Sequence, residues 1–349
     1  MENLISFTAP GELGQKTNGT DVLCASCGHR CRIPENARGK CKVRFNRKGE
    51  LRVPFGYVSS AQCDPVEKKP FYHALPGSRA FSYGMSGCNF HCDYCQNWRI
   101  SQVLQDASPD ESLTRTSSEE LVELARHYGA EIMVATYNEP LIANEWNVAV
   151  FKAAKAAGLL TGYVSNGHAT LEALGYLQPW IDIFKVDLKT FDENRYRQLG
   201  GTLTPVLETI RALYKMGIWV EVVTLLVPGF NDSPQEMGKI AEFLAGISAD
   251  IPWHVTAFHK DYRMSNTENA APDDLVRAAR IGKSRGLNFV YAGNLSVPEW
   301  ENTACPGCGA ILIERRGFRV LRSRLRNDGL CPNCALKIPG IWKQPPFTV

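Results

Sequence analysis

From Arg79 to about residue 293, strand-like apolar runs alternate with segments that carry helix boundary signals. RAFSYGM opens the series. Ser117 and Glu120 form a capping box ahead of ELVELARHYG, which predicts a helix, and EIMVATY follows as a strand. A helix over about 141 to 157 ends at Gly158 before the strand LLTGYVS. A short helix near 170 to 178 precedes IDIFKVDL, a continuous apolar run suited to a strand covered on both faces. Thr204 and Pro205 read as an N-cap and first helical position, with the strand IWVEVVTLLV next. Ser233, Pro234 and Glu236 open another helix ahead of PWHVTAF, and a last helix over about 272 to 285 stops at Gly286 before NFVYAG. Strand and helix thus recur every 25 to 45 residues or so, which predicts an α/β fold with a parallel sheet and helices outside it. Six or so units suggest a full or partial barrel, with its chemistry at the carboxyl ends of the strands.

The flanks lack this period, and at 349 residues the chain exceeds the roughly 250–300 at which one core stops growing. Three parts are expected: a loop-rich, Cys-rich module over 1–78, the repeating core over 79–298, and a C-terminal four-Cys module over 299–349. A net charge of +3 with 44% hydrophobic and 21% charged residues is ordinary for a soluble protein, so nothing global demands a nucleic acid or membrane partner. No apolar run approaches about 18 residues, and MENLISFTAPGELGQ lacks the basic start and apolar stretch of a signal peptide. A cytoplasmic protein is expected. In a reducing compartment, twelve grouped cysteines read as metal ligands rather than disulfides, with only Cys63 standing alone. The basic stretches, RRGFRVLRSRLR among them, read as solvated faces, with docking to an acidic protein or RNA as the alternative.

GMSGCNFHCDYCQNW places Cys88, Cys92 and Cys95 directly after the first strand of the repeat. Three close thiolates can hold three irons of a 4Fe-4S cubane and leave the fourth free for a small chelating ligand such as S-adenosylmethionine (SAM). The competing reading is a zinc site completed by Cys63 or His91, although zinc sites usually show paired C-x-x-C arms. Gly84 and Gly87 loosen the loop, and Tyr94 stands where an aromatic can pack on adenine.

CASCGHRCRIPENARGKCKVRFN, DPVEKKPFYHALPGS, GCNFHCDYCQNW, TYNEP, VSNG, KVDLK, LLVPGFND, PWHVTAFHKDYRM and YAGN occur in that order, followed by a CPxC pair. Together they resemble the radical SAM enzymes, in the branch similar to pyruvate formate-lyase activating enzymes and, more narrowly, the radical SAM member of the AmmeMemoRadiSam system. The resemblance spans nearly the whole chain. It implies a partial (βα)6 TIM-like barrel, a 4Fe-4S cluster on Cys88, Cys92 and Cys95, and reductive cleavage of SAM to a 5'-deoxyadenosyl radical that takes hydrogen from a substrate. It carries SAM contacts onto Asn138 and Glu139 (the carboxylate facing the SAM ammonium), Ser165 and Asn166, Asp187 and Lys189, and the strand-end His259. His254 reads as packing, and VPGFND as a turn near adenine. Val164 stands where activating enzymes usually carry an aspartate linked to a monovalent cation site.

Cys305, Cys308, Cys331 and Cys334 form two C-x-x-C arms, a signature of structural zinc with a rubredoxin-like iron as the alternative. Cys24, Cys27, Cys31 and Cys41 are less regularly spaced, and zinc and an auxiliary Fe-S cluster both suit them. Activating enzymes with extra clusters insert them after the three-cysteine loop, where this chain has only QVLQDASPDESL. The expected substrate is a protein or peptide, with a reductant such as flavodoxin or ferredoxin. The alternatives are a small-molecule substrate, or a non-catalytic multi-zinc or electron-transfer protein that docks nucleic acid.

Overall fold

A computed structural model describes residues 5–17, 19–106 and 113–343; part of QVLQDASPDESL lies outside these. Eight strands form the main sheet: β1 (Ser60–Pro65), β2 (Arg79–Gly84), β3 (Ile132–Ala135), β4 (Leu160–Ser165), β5 (Ile183–Asp187), β6 (Trp219–Leu226), β7 (Trp253–Ala257) and β8 (Val290–Gly293). They lie in sequence order across the sheet, β2 to β8 parallel and β1 antiparallel on β2. Sequential parallel order needs a crossover between neighbours, and right-handed crossovers place the helices on one face. The helices are α1 (Ser118–His127), α2 (Asn144–Ala156), α3 (Leu171–Leu177), α4 (Glu193–Gln198), α5 (Leu203–Lys215), α6 (Pro234–Ala245) and α7 (Pro272–Ser284). The sheet runs from edge β1 to edge β8, so the barrel is partial.

Alternation along each strand separates two cores. Phe81, Tyr83, Met133, Tyr163, Phe184 and Val222 share the large core with the helices. Ala80, Ile132, Val134, Leu160 and Ile183 face the other way, where Val66, Phe71, Ala74 and Leu75 pack on them. The segment between β1 and β2 therefore plugs the inner face at the amino-terminal ends of the strands. Its anchor is Glu221, on the inner face of β6. This fully buried carboxylate accepts from the Tyr72 N–H (3.0 Å), the His73 N–H (2.9 Å), Trp219 Nε1 (3.0 Å) and His254 Nε2 (2.7 Å). Burial alone would raise its carboxyl, but the His254 contact brings it down to about 2. His254, read from sequence as packing, is thus a polar tie beneath the site, held neutral by burial. His73 Nε2 meets Tyr291 Oη at 2.6 Å.

The C-terminal part closes the plug from below. Ala74 bridges Ile341, and the buried Arg315 donates to the Tyr72 carbonyl at 2.8 Å with its guanidinium 4.2 Å from the Tyr72 ring centroid. Arg315 thereby departs from the solvated face expected of RRGFRVLRSRLR, while Arg316, Arg319 and Arg322 are exposed. The N-terminal part is less irregular than its sequence suggests. It holds two small antiparallel sheets, Thr8–Pro10 with Glu50–Pro54 and Phe45–Arg47, and Gly14–Lys16 with Val22–Cys24 and Arg32–Ile33. It docks on α2 through a buried bidentate pair, Arg44 Nη1 and Nη2 each 2.7 Å from a Glu145 oxygen.

Ser117 and Ser233 cap their helices as expected. Thr204 does not: α5 starts at Leu203, because Glu193 Oε2 of the preceding α4 accepts the Leu203 N–H at 2.8 Å. β1 lies ahead of residue 79, the expected start of the core, yet joins its sheet.

Candidate active site

β2 ends at Gly84 and delivers the chain into the three-cysteine loop at the carboxyl end of the sheet. Gly87 holds φ +93°, and a Cβ there would stand 2.9 Å from Val43 Cγ1 and 3.0 Å from the Cys41 carbonyl oxygen. The loop therefore lies against the N-terminal cysteine module. Asn138 clamps its entry, accepting from the Met85 N–H at 3.0 Å and donating to the Gly87 carbonyl at 3.1 Å. The Phe90 N–H donates to Cys88 Sγ at 3.3 Å, and Ser101 Oγ lies 3.1 Å from Cys95 Sγ. Burial outweighs these contacts, raising Cys88 and Cys95 and pushing Cys92 up to about 12. A bound cation would provide the charge that buried thiolates need.

The three thiols open on a cavity of about 350 Å³, within the roughly 300–1,000 Å³ of small-molecule sites. Its wall contains Tyr94, Asn138, Glu139, Ser165, Asn166, Asp187 and Lys189. Ten of the eleven residues predicted from sequence for the cluster and SAM therefore meet in one place. Tyr94 is buried and packs edge-on against Phe230 of VPGFND, with centroids 5.9 Å apart. Val164 also lines the wall.

Glu139 accepts from Ser165 Oγ (2.6 Å), the Asn166 N–H (2.7 Å) and the Leu141 N–H (3.0 Å). Burial still raises its carboxyl to about 7. Its oxygens thus tie β4 to the turn after β3, while the side chain lines the cavity. Asp187 Oδ2 accepts from Lys189 Nζ at 3.2 Å. Burial would raise Asp187, but Lys189 and Lys185 hold it below the usual carboxylate range. Two buried acceptors on the wall, Asp187 Oδ1 and Gln102 Oε1, have no hydrogen bond. Asp187 Oδ1 has the Lys185 ammonium 3.6 Å away, and both oxygens can accept from a ligand that brings donors. SAM, with an ammonium and two ribose hydroxyls, fits them, as the three inward thiols fit a cluster.

His259 is the exception. It is exposed, with Nδ1 3.5 Å from the Lys260 carbonyl, and it is absent from the wall, where β7 contributes Thr256. The chain beyond His259 is drawn outward across the cysteine loop. Tyr262, with φ +49°, donates to Asp106 and stacks on Trp98 at 5.3 Å, and Arg263 Nη2 reaches Asp106 at 2.9 Å. Sequence reading also missed Lys68, Lys69, Lys185 and Asn294, all on the wall. Lys185 was legible, because it shares an inward face with Asp187 at a spacing of two. Lys69 was not, since it comes from the plug.

The four C-terminal thiols lie within 4.8 Å of one another, the only such group of potential metal ligands among the described residues. Cys305 Sγ to Cys334 Sγ is 3.5 Å and Cys308 Sγ to Cys331 Sγ 3.7 Å. A tetrahedral ion with metal–sulfur bonds of about 2.3 Å has edges of roughly 3.8 Å, so this is a one-ion metal site. Cys24, Cys27, Cys31 and Cys41 border one recess beside Arg44 but are not drawn in to that spacing. Cys63 stands apart, 4.0 Å from the Tyr128 carbonyl.

Residues 82–244 match the radical SAM superfamily. A protein of Methanocaldococcus jannaschii, itself described as uncharacterized, is 37% identical over 308 residues, which cover 88% of this chain and 91% of that protein. This chain belongs to the radical SAM superfamily. Within it, the pyruvate formate-lyase-activating enzyme of Staphylococcus epidermidis is 27% identical over 224 residues, covering 57% of this chain and 85% of that enzyme. Among solved structures, a radical SAM methyltransferase from Sphaerobacter thermophilus is 15% identical, covers 63% of this chain and 68% of its own, and superimposes with a TM-score of 0.49. Radical SAM enzymes use SAM and a 4Fe-4S cluster, and the relation to activating enzymes is the one the ordered motifs pointed to. No helix among the described residues is long and apolar enough to cross a membrane.

Proposed function

We propose that Cys88, Cys92 and Cys95 hold a 4Fe-4S cluster whose open iron binds SAM in the 350 Å³ cavity, and that the protein abstracts hydrogen from a protein or peptide substrate. Bound together, cluster and SAM supply a carbon-centred radical by one-electron reductive cleavage of SAM. The observation that carries the reading is the convergence on one cavity of three thiols and of two buried acceptors without a hydrogen bond, Asp187 Oδ1 and Gln102 Oε1.

The chain's own residues then have distinct tasks. Asn138 fixes the cluster loop through Met85 and Gly87. Glu139 is a positioning residue for Ser165 and Asn166. Asp187 and Gln102 receive donors from SAM, and Lys189 suits its carboxylate. Tyr94, backed edge-on by Phe230, offers its ring surface to adenine, and its burial keeps bulk water from the reacting atoms. The likeness to activating enzymes supports the protein substrate, and a flavodoxin or ferredoxin in the cytoplasm suits the electron supply. At the C-terminal site the paired C-x-x-C arms support structural zinc, and the one-ion thiol spacing suits zinc and a rubredoxin-like iron alike. At the N-terminal set, the wider spacing beside the cluster loop supports an auxiliary Fe-S cluster over a single zinc.

The test is iron content and electron paramagnetic resonance of anaerobically reconstituted, dithionite-reduced protein. A 4Fe-4S signal that changes shape on adding SAM, and is lost in Cys92→Ser while C-terminal zinc stays, is expected. Iron-free protein with zinc at the central cysteines would overturn the reading.

A further inference from the structure

Four lysines, Lys68, Lys69, Lys185 and Lys189, line the cavity with the carboxylates of Glu139 and Asp187, and Asp64 pairs with Lys68 and Lys69 from behind. Lys189 is hydrogen-bonded to Asp187. Lys185 is about nine-tenths buried on the inner face of β5 and ion-pairs with Asp187 Oδ1 at 3.6 Å, sharing that carboxylate with Lys189. Lys69 rises from the plug, equally buried, and donates to Asp64 Oδ2 and Tyr137 Oη, each at 3.1 Å. Tyr137 adopts φ +71°, a region costly for a residue with a Cβ, and in doing so lays its ring 4.6 Å from Lys69 Nζ. Lys69 and Lys185 thus reach the same cavity from the plug and from the sheet. Burial lowers both, and the Lys185 charge lowers Lys69 further. Asp64 is shared between Lys68 and Lys69 and Asp187 between Lys185 and Lys189, so each carboxylate serves two ammoniums and the wall has room for a further anion.

We propose that Lys69, Lys185 and Tyr137 form an anion-binding floor of the active site, and that the substrate carries a carboxylate or phosphate that seats there while its reacting carbon faces the cluster loop. The inference rests on the proposed function, and it names the substrate class of that same cavity. SAM has a single carboxylate, for which Lys189 is available, so the floor is left for the second molecule. The anion would also fix distance, since a group held at the floor presents its other end toward the cysteines.

The experiment is equilibrium dialysis of SAM-saturated, anaerobically reconstituted full-length protein with radiolabelled inorganic phosphate and, separately, radiolabelled succinate. SAM binding and iron content are measured on the same samples, so a failure of the proposed function shows itself before any anion is added. One saturable site for phosphate or succinate is expected, weakened at least tenfold in Lys69→Met and in Lys185→Met and restored in Lys185→Arg, with SAM affinity unchanged in Lys69→Met. Both Met variants should fold, because Asp64 keeps Lys68 at 2.9 Å and Asp187 keeps Lys189 at 3.2 Å. If iron and SAM bind normally but neither anion does, the floor is no anion site. Equal anion binding in wild type and both variants also overturns the inference, as does a loss of SAM affinity in Lys69→Met, which would assign that lysine to SAM's own carboxylate.

Discussion

Replacing Glu221 by Gln keeps the shape of the side chain, removes its charge and turns one oxygen into a donor. Each oxygen serves two donors: Oε1 takes the His73 N–H and Trp219 Nε1, and Oε2 takes the Tyr72 N–H and His254 Nε2. Whichever becomes the amide nitrogen, two donors lose their acceptor. A hydrogen bond to a charged group contributes about 1.5–3 kcal/mol, so the loss of two starts at about 3 kcal/mol, and at about half that if His254 switches tautomer and accepts from the new amide. Over 349 residues, at about 2.1 cal/mol/K per residue, 3 kcal/mol lowers Tm by about 4 °C. Scanning fluorimetry reads that shift, and hydrogen exchange should quicken at the Tyr72 and His73 amides. A Tm within 1 °C of wild type, with those amides still protected, would refute the role given to Glu221 in holding the plug.

Glu145→Ala leaves Arg44 buried and unpaired, which should cost about 3–5 kcal/mol and make the N-terminal sheets sensitive to limited proteolysis. Gly87→Ala forces a Cβ against Cys41 and Val43 at φ +93°, and the reconstituted variant should take up less iron than wild type. Burial lowers His73 to about 4, so the folded protein resists the proton that the unfolded chain accepts. Its contribution is complete above about pH 6.5 and is lost as pH falls toward 4, about 3 kcal/mol in all, which urea midpoints between pH 7 and 4.5 should trace.

The strand and helix alternation was legible because each core element carries its own boundary signal: Ser117 and Ser233 cap, and Gly158 and Gly286 stop. The short strands of the N-terminal sheets run two to five residues, too few to display a period. Helix α4 spans only six residues and announces itself by Asp192 alone, and its Glu193 then displaced the expected start of α5. Wall residues at strand ends were found from local motifs. Those that depend on distant chain were not: Lys69 reaches the cavity from the plug, Glu221 gathers donors from residues 72, 73 and 254, and His259 is carried away by Tyr262 and Asp106.

The central claim is tested most directly by incubating the anaerobically reconstituted protein with SAM and dithionite and quantifying 5'-deoxyadenosine beside a Cys88→Ala, Cys92→Ala, Cys95→Ala variant. The account predicts 5'-deoxyadenosine from the wild type and none from the variant. Equal amounts from both, or none from a wild type that carries the cluster and binds SAM, would contradict it.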